Sequence, residues 1–70
     1  MTAKQAISWL TLKPKELPVF VLIGTDPLAP NIVRSWAEEA LRAGVKKEKV
    51  QEAKRCATVL EEWPVKKLPG

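Results

Sequence analysis

The chain has 70 residues, no His, a single Cys and a formal net charge of +4. A chain this short makes one domain and buries only about 60% of the surface its unfolded form exposes, so its core is thin. One thiol and no imidazole exclude an internal disulfide and a structural zinc site, which leaves association with a second subunit as the natural reinforcement.

Thr2 is placed to cap a first helix over residues 3–12, with Ala3, Ala6, Ile7 and Leu10 on one face and Trp9 beside them. Pro14 ends it. Residues 13–18 carry two prolines and three charges and read as an exposed connector. The run VFVLI, residues 19–23, is too short for a helix and is bounded by Pro18 and Gly24. Its β-branched content and lack of polar alternation predict a strand covered on both faces. A lone strand must pair with a second copy or be covered by helices as extended chain, and Val19, Val21 and Ile23 are therefore the candidates for self-association.

Gly24 to Pro27 reads as a turn, with Asp26 able to cap a short turn before Pro30 takes the first position of the next helix. In that helix, residues 30–43, the residues Ile32, Val33, Trp36, Ala37, Ala40 and Leu41 make a wide apolar stripe. Gly44 stops it. A third helix, residues 47–63, repeats the spacing through Val50, Ala53, Cys56, Ala57, Leu60 and Trp63 until Pro64. The expected class is thus mainly α: a short helix, one short extended or strand segment, and an antiparallel helix pair. Trp36, Leu41, Val50 and Leu60 are expected to face one another in its core. Residues 1–64 form the domain, and residues 65–70 are expected to be a mobile tail.

The positive charge is local. Residues 42–55 hold six bases, Arg42, Lys46, Lys47, Lys49, Lys54 and Arg55, against Glu48 and Glu52, while the bases and acids elsewhere balance. These six are the candidate residues for an anion or an acidic partner. Arg42, Lys46, Lys47 and Lys49 are expected to form one solvent-facing patch, since the turn leaves them outside the apolar stripes. Lys46 and Lys47 at a helix start oppose the dipole, and the same place favours a phosphate or carboxylate; a blander reading makes Lys46 the end of the preceding helix. The turn also fits helix-turn-helix spacing, with Ala40 four residues before Gly44, Val45 after it, and Val50 and Ala53 beyond; Glu39 is discordant. In that arrangement Lys47, Lys49, Gln51, Lys54 or Arg55 would meet DNA.

The order strand, helix, glycine turn, helix also resembles the ribbon-helix-helix DNA-binding fold, in which two chains pair one strand each. The strand here offers no polar side chain for reading bases, and Lys46 and Lys47 stand where that family commonly has a small hydroxyl residue. Trp9, Trp36 and Trp63 are better placed to fill a core than to stack on bases, and Cys56 reads as a small buried hydrophobe. Ser8 and Ser35 have no His to activate them, the Gly24 turn lacks the glycines of a phosphate loop, and Glu38–Glu39 and Glu61–Glu62 point in different directions.

The string FVLIGTDPLAP, followed by V-x-x-W-A-x-x-A, Gly44-Val45 and Trp63-Pro64, resembles a family of short uncharacterised proteins from bacterial and phage-derived genomes. The resemblance implies a compact protein associated with mobile elements and carries over no functional residues. Taken together, the sequence points to a non-enzymatic protein-interaction module whose partner is another protein or a second copy of itself. The alternative is a small DNA-binding regulator using the basic hinge. No cofactor, metal or small-molecule substrate is expected, and with no signal peptide or membrane span in view the expected compartment is the cytoplasm.

Overall fold

The protein is described by a computed structural model over residues 1–68. Three helices follow one another, α1 (Ala3–Leu10), α2 (Ala29–Arg42) and α3 (Lys47–Glu62). The mainly helical class and the packing of α2 on α3 agree with the sequence reading. Among the described residues there is no strand.

The turn between α2 and α3 sets the architecture. Gly44 lies at φ 91°, in the left-handed region, and two reversed hydrogen bonds close the end of α2: Gly44 N to Leu41 O at 3.2 Å and Val45 N to Ala40 O at 3.0 Å. This is the Schellman arrangement, in which a residue free of a Cβ satisfies carbonyls that the helix end leaves open. Its usual apolar contact is present, because Val45 packs against Ala37, Ala40 and Val50. Chain reversal then lays α3 back along α2. The ion pairs Arg34–Glu61 at 2.7 Å and Glu38–Lys54 at 3.1 Å join the early part of α2 to the late part of α3, which requires an antiparallel pair along its length.

The seam between the two helices is built from small residues. Ala29, Ala37, Ala40 and Ala57 are buried together with Val50, which is the largest side chain fully enclosed. Alanine lets two helices approach closely but removes little apolar area from water per residue. Here the structure corrects the sequence reading. Trp36 is 53% exposed and Leu41 43%, while Leu60 and Cys56 are half-buried. The stripe on α2 is wider than the seam, and the alanines at 37 and 40 occupy its centre, so the large residues at its edges are left at the flank.

α1 starts on a capping box: Thr2 Oγ1 accepts from Gln5 N at 3.2 Å, and Gln5 Oε1 accepts from Thr2 N at 2.8 Å. Ala6 and Leu10 are half-buried and the rest of α1 is exposed. The segment 19–23 departs from the expected covered strand. Val19, Phe20, Val21 and Ile23 are exposed and only Leu22 is half-buried, because among the described residues there is no second strand to pair with and the helices leave the segment uncovered. Asp26 caps as expected, its Oδ1 accepting from Leu28 N at 2.9 Å.

Beyond α3 the chain returns to this loop. Lys66 Nζ donates to Leu60 O at 2.6 Å and Gly24 O at 3.0 Å, and Lys67 N donates to Thr25 O at 2.7 Å. The ammonium thus meets a carbonyl at the negative end of α3. Trp63 lies across Gly24, where a Cβ would sit 3.2 Å from the ring carbon Cγ. Contacts therefore continue past the expected boundary at residue 64; of the expected mobile tail, residues 69 and 70 lie outside the described residues.

An alanine seam fails by overfilling rather than by truncation. Ala37→Leu should lower stability by about 1 to 3 kcal/mol, more than Trp36→Ala does in the isolated chain, since Ala37 has no space around it and Trp36 is half in water. Urea titration of both variants at a concentration where the chain is monomeric checks the order. A larger loss for Trp36→Ala would place the tryptophan in the core after all.

Candidate functional site

Two surfaces meet the sequence criteria, one basic and one apolar. Lys46 is the N-cap of α3, not part of the end of α2, and its side chain makes no capping bond. Arg42, Lys46, Lys47, Lys49 and Arg55 are all exposed. None of these five has a carboxylate within ion-pairing distance among the described residues. Lys54 is different: it is half-buried and bonded to Glu38, which assigns it to holding the helix pair together.

Helical spacing decides what the remaining cations can do. Lys47 and Lys49 are two residues apart and project about 200° from each other, so the bases ring the start of α3 rather than forming one flat patch. Taking Val50 as the inward direction, Arg55 points outward beside Glu48 and Glu52. An outward face carrying both signs is poorly matched to a phosphate backbone. Helix-turn-helix units also cross steeply, at about 90 to 120°, and would not bring Arg34 to Glu61.

The apolar surface is larger. In the segment 19–23 the five N–H groups find no backbone acceptor among the described residues, and Phe20 is 86% exposed. Unpaired backbone on an exposed apolar run is a template for another chain. After a short turn through Asp26, α2 continues the apolar surface along one flank, where Leu28, Ile32 and Trp36 recur every four residues and are all exposed. The sequence reading places Ile32 and Trp36 inside; a stripe centred on alanines with bulky residues at its edges is the available sign that they lie outside.

The opposite flank carries Arg34 and Glu38, with Leu41 beside them. Trp36 and Glu38 project about 200° apart, and Glu38 with Arg34 reaches toward α3. Arg34 holds Glu61 through both carboxylate oxygens, at 3.3 and 2.7 Å. The hydrogen bond from Arg34, its charge, and more weakly that of Lys66 hold the Glu61 carboxyl below the usual glutamate range.

A depression along α1, lined by residues that include Thr2, Gln5, Trp9 and Leu12, is open to solvent, and Lys13 Nζ stands 4.5 Å above the Trp9 ring beside it. Among the described residues no three His, Cys, Asp or Glu side chains gather as a metal ion would need, and no helix is long and apolar enough to cross a membrane. No protein-family model matches the chain, and neither does any curated protein or solved structure.

Because Glu61 has a lowered pKa in the folded chain, its contribution is complete above the ordinary glutamate range and is lost as pH falls through the lowered value. Glu61→Gln should therefore flatten the acid limb of the stability curve and leave Tm near neutral pH slightly reduced, an effect that salt weakens because the pair is exposed. Thermal melts of parent and variant from neutral to acid pH measure it. Parallel acid limbs would mean that the pair contributes nothing.

Proposed function

We propose that this protein is a non-enzymatic interaction module that works by self-association, with Val19, Val21 and Ile23 as the pairing residues. The observation that carries the reading is the exposed apolar segment 19–23, whose five consecutive N–H groups lack a backbone acceptor within the described chain. An added strand supplies hydrogen bonds to such a segment and covers alternate side chains, which is how β-augmentation gives both affinity and register. A cytoplasmic setting and association with mobile elements belong to the same proposal, supported by a sequence with the single cysteine Cys56 and by the sequence resemblance respectively. Val21→Lys places a charge at the centre of the segment. Sedimentation should show the parent as a dimer and the variant as monomer, or as unfolded chain if the monomer cannot persist alone. A parent that sediments as a folded monomer at high concentration would remove self-association from the account.

DNA binding is the second reading, favoured by the five exposed cations at the α2–α3 turn that lack a carboxylate partner. The acids on the outward face of α3 and the antiparallel geometry argue against a groove-reading helix, so any contact would be to phosphates. Replacing Lys46, Lys47 and Lys49 with Gln tests it. Binding of the parent to duplex DNA should fall steeply with added salt and vanish in the folded triple variant. Equal binding by both at low salt would reduce the basic turn to a solubility feature.

A further inference from the structure

We infer that the exposed flank of α2 formed by Leu28, Ile32 and Trp36 is an interface with a second copy of this chain. The inference rests on the self-association reading and extends it from the segment 19–23 to a helical surface. The first argument is area. The chain exposes 6130 Å², whereas a folded monomer of its 7.8 kDa mass exposes about 4,400 Å². The excess of about 1,700 Å² is spread over the chain, the flank and the segment 19–23 among it, and it exceeds the roughly 800 Å² that one partner contributes to a standard complex. The shape agrees: the radius of gyration is 13.0 Å against about 11 Å for a compact domain of this length, and the molecule is 19 Å through its thinnest direction. A slab this thin has broad faces and little interior.

The second argument is chemical. Permanent cover is needed wherever the chain is present, and its own copy is the partner that always is. Three apolar side chains at four-residue intervals form a ridge that packs against the same ridge across a two-fold axis, so that one patch meets itself. No charged residue lies between Leu17 and Thr25, so pairing the adjoining segment with its copy opposes no like charges there. The ion pairs Arg34–Glu61 and Glu38–Lys54 lie on the other flank and stay in water.

The test is sedimentation equilibrium of the full chain with Ile32→Glu and Trp36→Glu. The parent should dimerise, and each variant should weaken self-association by at least about thirtyfold. In a Trp9→Phe, Trp63→Phe background the emission of Trp36 should also shift to the blue with concentration, along the same isotherm as dimerisation. That second measurement decides the matter should the Glu variants fail to fold. Dimers that persist in both variants but dissociate in Val21→Lys would overturn the flank while leaving the segment 19–23 as the pairing element. A folded parent monomer would overturn both. A monomer that instead binds phosphatidylglycerol vesicles would assign the flank to lipid, and Trp36 emission that stays constant through dimerisation would also overturn the proposal.

Discussion

The structure depends on the turn at Gly44. A residue with a Cβ at φ 91° is strained, and without that conformation the two reversed hydrogen bonds to Ala40 and Leu41 cannot form. The reversal brings Val45 onto Ala37 and Ala40 and sets the register in which Arg34 meets Glu61 and Glu38 meets Lys54. The segment after α3 holds the Gly24 loop through Lys66, Lys67 and Trp63, and at the other end of the chain the Met1 amine donates to Cys56 Sγ at 3.8 Å.

A seam of alanines has a consequence for function. Alanines occupy the centre of the seam, and Trp36, Ile32, Leu28 and Phe20 remain on the outside. Burial of alanines contributes little per residue, so the folded monomer forgoes much of the hydrophobic stabilisation its sequence contains. The thin core and the exposed apolar surface are one fact seen from two sides. In the proposed dimer, association would cover what the seam leaves out, while the flank with the two ion pairs Arg34–Glu61 and Glu38–Lys54 would stay in water.

Much of this was legible in the residues. Thr2 as a cap, Asp26 before α2, Gly44 as a stop and the four-residue periodicity of both long helices derive from local chemistry, and local chemistry governs them in the structure. Gln5 completes the capping box and could have been read from its position three residues after Thr2. The tryptophan was harder. Periodicity says which residues share a face but not how deep each lies, and with a stripe as wide as that of α2 the neighbouring helix selects its centre; Ala37 and Ala40 hold that centre, and Trp36 does not. The composition of the segment 19–23 asks for cover from helices or from a second copy, and within the single chain the helices do not supply it: Val19, Phe20, Val21 and Ile23 are exposed. For the basic turn, the count of charges was legible, but the 200° between Lys47 and Lys49 and the bond that engages Lys54 decide how much of it is a surface.

The central claim is that the exposed segment 19–23 and the flank of α2 are completed by a second copy. Amide hydrogen exchange across a range of protein concentrations tests it directly, because the five N–H groups of the segment have no backbone acceptor within the described chain. The account requires these amides to exchange freely when the chain is dilute and to gain protection as concentration rises, while the amides of α2 and α3 near the seam are protected throughout or gain protection with them. Equal, rapid exchange of the segment at every concentration, beside a protected helix pair, would contradict it.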